Sequence, residues 1–241
     1  MDVSFYDLGI DPGLVQTLEK QGITEPFEVQ LEAIPDAMLG HDICCRAPTG
    51  SGKTLAFGLP LISRTPRADP EFPTALILSP TRELAEQICS VLTPLAATFD
   101  LEVMAIYGGV PYGRQRKALS RGVDIVVACP GRLLDLLDNG ALSLEDVGLV
   151  VLDEADRMAD MGFMPAVRRL LDQTSTKRQT FLFSATLDRD VAKLTQTYQT
   201  DPVHHLIGSE STDVRAARHL FWSVAKKDRL GVAAEVLRST S

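Results

Sequence analysis

Apolar residues fall along this chain in short unbroken runs. Ala75-Leu76-Ile77-Leu78, Ile125-Val126-Val127-Ala128 and Leu149-Val150-Val151-Leu152 contain no polar position. A strand with one wet face would alternate between apolar and polar residues. A run that is apolar throughout is buried on both faces, as in a parallel sheet covered by helices. The same criterion, relaxed at the ends, predicts strands over 42–46, 74–79, 101–107, 124–128, 147–152, 179–184 and 202–207. Between them the apolar spacing becomes helical, at Leu84, Ile88, Val91, Leu92 and Leu95, at Val167, Leu170 and Leu171, and at Val191, Leu194 and Tyr198. An early helix carries its own boundaries: Asp11 as N-cap, Pro12 as first helical residue, and Gly22 just past the end. Strand–helix alternation of this kind predicts an α/β fold, a mostly parallel sheet with helices on both faces. In such sheets ligands bind at the carboxyl ends of the strands, so the βα loops are where chemistry is expected.

Composition narrows the class. The chain has 241 residues, 45% of them hydrophobic, which is enough for a large core. Its net charge of −8 excludes a globally basic nucleic-acid binder but not a local basic track. No apolar run approaches the ~18 residues of a membrane span. The amino terminus has acids where a signal peptide needs positive charge. Cys44, Cys45, Cys89 and Cys129 form no CxxC pair and read as small buried hydrophobes. The expectation is a soluble, cytoplasmic protein acting as a monomer. After residue 207 the sequence turns small, polar and charged. Residues 208–218 read as a linker, and 219–241 as the opening strand and helix of a further domain that the chain does not contain.

The first strand runs into Ala47-Pro48-Thr49-Gly50-Ser51-Gly52-Lys53-Thr54, which has P-loop spacing except that Ala47 holds the first glycine position. Gly50 and Gly52 let backbone N–H groups close around phosphate oxygens, joined by Thr49 and Ser51. Lys53 supplies a charge for the β- and γ-phosphates, and the Thr54 hydroxyl can ligate Mg²⁺. A second candidate lies at the end of the strand over 147–152, where Asp153, Glu154 and Asp156 follow an apolar run. A carboxylate there is costly unless it binds something. Asp153 is the natural partner of Mg²⁺ carrying nucleotide phosphates, and Glu154 the residue to orient or deprotonate an attacking water. The competing reading is an acidic helix N-terminus in solvent.

Taken together, Ala47–Thr54, Pro80-Thr81-Arg82-Glu83-Leu84-Ala85, Cys129-Pro130-Gly131-Arg132, Asp153-Glu154-Ala155-Asp156 and Ser184-Ala185-Thr186 resemble, in order and spacing, the motifs of the DEAD-box RNA helicases. The resemblance covers residues 1–207 and implies the amino-terminal RecA-like P-loop domain of a two-domain ATPase. It implies ATP and Mg²⁺ as cofactors, with Gln30 reading adenine and Phe5 stacking on the base. It also implies a single-stranded RNA track at Pro80, Thr81, Arg82, Gly108, Gly109, Pro130, Gly131 and Arg132, gripping sugar and phosphate without reading sequence. Asp156, Ser184 and Thr186 match the motif that couples nucleotide state to RNA binding. Arg114, Arg116 and Lys117 read as a solvated helix face.

The chain departs from the family pattern in places. Phe27 and Glu28 stand where Thr and Pro are usual, and Cys129 replaces a Thr that commonly donates to an RNA phosphate. A thiol is a poor donor. Ala159 replaces a usual Leu, a change expected to alter packing only. A second RecA-like domain, with the arginine finger worth about 10³–10⁵ in rate, is missing, so weak ATP binding and very slow hydrolysis are expected of this chain alone. The alternatives are a DNA helicase or translocase on the same scaffold, a generic P-loop kinase or GTPase, and a non-catalytic binding module.

Overall fold

The computed structural model describes residues 3–208 together with 224, 228, 231 and 232. Contacts divide the chain into two units, 1–207 and 208–241. The expected linker and second-domain opening lie, apart from those few positions, outside the described residues. The first unit carries all the motif segments.

Among the described residues, seven strands form one sheet: β1 (Ile43–Arg46), β2 (Ala75–Leu78), β3 (Val103–Ile106), β4 (Ile125–Ala128), β5 (Leu149–Asp153), β6 (Gln179–Ser184) and β7 (Val203–Leu206). Every pairing is parallel and the order is β3-β4-β2-β5-β6-β1-β7. Each observed strand lies within its expected run apart from the one-residue extension of β5 to Asp153. The expected 101–107 shrinks to Val103–Ile106 because Leu101 N–H bonds back to Ala96 C=O, closing the preceding turn.

The α-helices described are α1 (Pro12–Lys20), α2 (Glu28–Leu39), α3 (Lys53–Arg64), α4 (Arg82–Ala96), α5 (Tyr112–Leu119), α6 (Pro130–Asp138), α7 (Ala155–Asp160), α8 (Met164–Leu171) and α9 (Arg189–Tyr198). α1 starts as its sequence predicts, with the Asp11 carboxylate accepting from Gly13 N–H, and Gly22 takes the positive φ just beyond the last turn.

Successive strand residues point to opposite faces, which explains the unbroken apolar runs. Ile43, Cys45, Ile77, Val151, Phe181 and Phe183 face one core, shared with α1 to α4. Cys44, Leu76, Leu78, Val150, Leu152 and Leu182 face the other, shared with α5 to α9. Each fully buried Leu, Ile or Phe in these cores contributes about 1.5–3 kcal/mol of transfer free energy. The two cores clamp the strands, so the loops at their carboxyl ends spring from a rigid base. No described helix is long and apolar enough to cross a membrane.

Candidate functional site

All the motif segments fall at the carboxyl edge of the sheet. The strand order sorts them. The P-loop follows β1, the Asp153–Asp156 segment follows β5, and the Ser184–Thr186 segment follows β6, which lies between β1 and β5. Pro80–Arg82, Gly108-Gly109 and Pro130–Arg132 follow β2, β3 and β4, in the other half of the sheet.

On the half that carries the P-loop, Ala47 N–H donates to Ser184 C=O, which extends the β1–β6 ladder by one bond before the chain turns. Ser51 Oγ donates to Pro48 C=O across the loop. Gly50 and Gly52 both hold positive φ, at 82° and 92°, a region that L side chains rarely enter. Gly52 is also the N-cap of α3 and offers no side-chain cap, which leaves the first-turn N–H groups of a 12-residue helix without a side-chain acceptor. Backbone donors there, with the helix dipole behind them, suit an anion. Lys53 is buried and its ammonium donates to Ala47 C=O, so the loop closes over its own lysine.

Asp153 ends β5 with only 3% of its surface exposed. Burial pushes its carboxyl up to about 6; the nearby Lys53 charge opposes this, and the Glu154 and Asp156 charges reinforce it. Oδ1 accepts from Glu154 N–H. A dehydrated carboxylate beside an exposed phosphate loop is short of positive charge. It and the Thr54 hydroxyl are both oxygen donors of the hard type that Mg²⁺ takes, so the chemistry of these residues fits that ion. Glu154 has left-handed backbone, φ 52° and ψ 52°, unusual for a non-glycine residue. Its Oε2 lies 3.1 Å from Arg157 Nη1, one helical turn on. The turn from β5 into α7 is therefore strained, and it aims the Glu154 carboxylate toward Arg157.

Asp156, Ser184 and Thr186 come together. Asp156 N–H donates to Ser184 Oγ at 3.1 Å, and Asp156 Oδ2 accepts from Thr186 N–H and Oγ1 at 3.0 and 3.1 Å. The competing helix-cap reading belongs to a different residue, Asp188, whose Oδ1 accepts from Asp190 and Val191 N–H at the start of α9.

The two residues expected at the adenine site have different surroundings. Phe5 is 1% exposed and belongs to the core shared with α1 to α4, so its ring has no open face on which a base could stack. Gln30 is 2% exposed and its amide is already engaged. Oε1 accepts from Phe27 N–H and Nε2 donates to Gly52 C=O, both at 2.9 Å. Gln30 thus ties the start of α2 to the P-loop, keeping one N–H and one lone pair for a base. The exposed aromatic beside the loop is Phe27, 60% exposed. A Cβ on Gly52 would lie 2.6 Å from Phe27 Cδ2 and 2.6 Å from Gln30 Nε2, so both side chains rest on that glycine.

On the other half, Thr81 caps α4 by accepting from Leu84 N–H. Arg82 pairs with Glu86 at 3.4 Å and its guanidinium sits 4.8 Å from the Tyr107 ring centroid. The Tyr107 hydroxyl donates to Glu86, which raises its pKa; burial and the Glu86 charge add, while Arg82 and Arg114 oppose. Gly108 and Gly109 follow directly and are exposed. Arg132 is mostly enclosed: Nη1 donates to Val110 C=O and Gln115 Oε1, leaving Nη2 as its spare face. Arg132 therefore ties α6 to α5 and the glycine turn, a positioning role that its sequence context did not show. Cys129 makes no cap bond to α6, as expected of a thiol, and burial together with the Glu83 charge pushes it up to about 11.

Sequence reasoning noted Phe27 only as a departure and missed Tyr107, Gln115 and Arg157. Two carried a readable signal: Arg157 is three residues past Glu154 at the start of a helix, and Tyr107 immediately precedes Gly-Gly. Gln115 carried none.

A fold with a phosphate loop, a buried acid two strands away and a serine–aspartate–threonine link between them defines a P-loop NTPase domain of the RecA type. Residues 27–194 match the DEAD/DEAH box helicase family model. The chain is 44% identical over 201 residues to "DEAD-box ATP-dependent RNA helicase 9" of Oryza sativa subsp. japonica, covering 81% of this chain and 32% of that protein. It is 41% identical over 230 residues to "RNA helicase CrhR" of Synechocystis sp., covering 92% and 46%. Among solved structures, a DEAD box protein from the hyperthermophile Methanococcus jannaschii superposes with TM-score 0.80 at 31% identity, over 98% of this chain and 64% of the other. The chain belongs to the DEAD/DEAH box helicase family. It spans less than half the length of these two curated relatives.

Proposed function

We propose that this chain is the ATP-binding lobe of an ATP-dependent RNA helicase or RNA–protein remodelling enzyme. The observation that carries the reading is the Asp156–Ser184–Thr186 link at the ends of β5 and β6, with the phosphate loop on one side and the backbone-gripping segments on the other. A generic P-loop kinase or GTPase has no need of that second half.

In this reading the α3 N-terminus, Thr49–Gly52 and Lys53 hold the triphosphate. Lys53 exchanges Ala47 C=O for phosphate oxygens, a trade of a neutral acceptor for a charged one. Mg²⁺, held by Thr54 and Asp153, neutralises charge on the phosphates when bound. Glu154 orients the attacking water and accepts its proton once Arg157 releases the carboxylate. Phe27 and the spare groups of Gln30 meet the base. Arg82, Gly108-Gly109, Pro130-Gly131 and the amides at the starts of α4 and α6 hold RNA phosphates, with Thr81 and Pro80 shaping the turn and Arg132 bracing it. Catalysis awaits a second lobe bearing an arginine finger, so this lobe alone turns ATP over very slowly. The four free cysteines are compatible with a reducing compartment, of which the cytoplasm is the one proposed, for a lobe proposed to act as a single copy.

The test is a fluorescent ATP analogue titrated with Mg²⁺ into the chain and its Lys53→Ala variant. The expected result is at least a tenfold weaker complex for the variant, and tighter binding of single-stranded RNA than of matched DNA. Equal analogue binding by both proteins, or no RNA preference, refutes the assignment. Robust RNA-stimulated turnover by this chain alone refutes the dependence on a second lobe.

A further inference from the structure

We propose that α5 and the turn after it carry an outlying RNA-binding stripe, Arg114, Lys117 and Arg121, which takes the phosphates of a strand running on past the Gly108-Gly109 turn. The proposal rests on the RNA-helicase reading and extends it to a surface that none of the motifs includes.

Residues 103–123 contain four cations, Arg114, Arg116, Lys117 and Arg121, and no acid, in a chain whose net charge is −8. All four are exposed. Among the described residues none of their side chains makes an ion pair or hydrogen bond. Arg82, Arg157, Arg169 and Lys193 each have a carboxylate partner, and other exposed cations without one, such as Lys20, Lys177 and Arg189, stand singly rather than in a run of four. Like charges on adjacent turns of a helix repel and cost stability, a cost that an anionic partner removes. Position on the helix separates the four. Gln115 and Leu119 mark the buried side of α5. Arg114 and Lys117 lie one turn apart on the side of α5 away from them, Arg121 follows in the turn just after the helix, about 10 Å from Arg114 along its axis, and Arg116 is displaced.

Arg114 and Arg121 line a groove of about 450 Å³ against the sheet edge, floored by Val103, Met104 and Val123, with Glu102 its single acid. The groove itself opens toward the amino ends of β3 and β4, while the start of α5 lies beside the Gly108-Gly109 turn of the candidate track. Arg132 bonds both Val110 in the glycine turn and Gln115 of α5, so the helix is held in fixed register with that turn. Arg114 is near enough to act on the Tyr107 hydroxyl, and Tyr107 stacks under Arg82. Arg82, itself paired with Glu86, and Arg114 thus flank the Tyr107 ring beside the glycine turn, and the stripe continues from Arg114 along α5. This continuity, with charge complementarity, favours nucleic-acid phosphate over an acidic protein segment. Contacts of this kind add affinity and salt dependence but read no sequence.

The experiment uses the whole chain and a triple variant, Arg114→Gln, Lys117→Gln and Arg121→Gln, with labelled oligouridylates of about six and about twenty nucleotides followed by anisotropy at several salt concentrations. For the long oligonucleotide the variant loses about 10- to 100-fold in affinity near 0.1 M salt, and its log–log salt slope falls by about 2, as expected for three phosphate contacts on a single strand. The short oligonucleotide binds both proteins alike, and thermal unfolding is unchanged or slightly higher in the variant. An unchanged slope and affinity on the long strand overturns the proposal. So does an equal loss on both lengths, which would place these cations in the core track. Displacement of the long strand by polyglutamate at equal charge concentration would assign the surface to a protein partner instead. If the parent chain binds neither oligonucleotide, the RNA reading itself fails; if it binds both and the variant matches it, only the stripe fails.

Discussion

Replacing Asp153 by Asn separates stability from function in opposite directions. The carboxyl is almost wholly buried, and burial moves it from 3.8 to about 6. The folded chain therefore holds this proton more tightly than the unfolded chain does. As pH rises from about 4 to about 6 the unfolded state ionises first, and the folded state loses stability across that window. Above about 6 the full cost stands, and two pH units correspond to ~3 kcal/mol. Asn is close in shape, keeps an acceptor for Glu154 N–H and carries no charge. In chelator-treated, nucleotide-free protein near pH 8, Asp153→Asn should raise the melting temperature by up to about 6–12 °C for a chain of this size. The gain should shrink toward zero near pH 4. The same variant should bind the ATP analogue with no Mg²⁺ dependence. Thermal unfolding by circular dichroism across pH, with analogue titrations, reads both effects. A variant no more stable than the parent near pH 8, or a gain independent of pH, would refute the reasoning. The carboxylate would then already be compensated inside the apo fold.

Other perturbations follow from the same geometry. Phe5→Ala should cost about 3–5 kcal/mol of stability, read by urea unfolding, because the ring belongs to the core; analogue affinity at temperatures where the variant is folded should change little. Phe27→Ala should weaken the analogue several-fold while leaving the urea midpoint nearly unchanged, since the ring is exposed. Gly52→Ala combines a φ of 92° with a Cβ placed 2.6 Å from Gln30 and Phe27, so analogue binding should be lost together with at least about 1 kcal/mol of stability. Cys45 and Cys89 are pushed up to about 12, and Cys129 to about 11, in each case mainly by burial. Native protein should therefore react slowly with iodoacetamide near pH 8, with all four thiols alkylated once urea unfolds it.

The sheet was legible because its runs obey two independent constraints, apolarity on both faces and alternation with helical spacing. Leu76 and Ile77 serve opposite cores, so neither position could be polar. Strand ends were less legible, as at Leu101, because a turn bond and a ladder bond compete for the same N–H. The site was legible where residue type follows from chemistry: glycines with positive φ, a lysine behind them, an acid closing an apolar strand. It was illegible where a residue type has two uses. An aromatic near a nucleotide site can stack or fill the core, and only the packing shows that Phe5 fills the core while Phe27 stays outside. Arginine likewise either contacts a ligand or braces a loop. Arg132 braces because Val110 C=O and Gln115 lie within its reach, and neither proximity is written in the spacing.

The strand order has an electrostatic consequence. β1 and β2 are three strand spacings apart, with β6 and β5 between them, which is about 14 Å. The two proposed ligands are both polyanions lodged on the same edge of one acidic lobe. At physiological ionic strength charges are screened over about 8 Å. Two intervening strands are thus enough insulation for one not to repel the other. With fewer strands between them, binding of the first would oppose the second. The sheet lets both stay, with the hydrogen-bonded Asp156–Ser184–Thr186 link lying between the two positions.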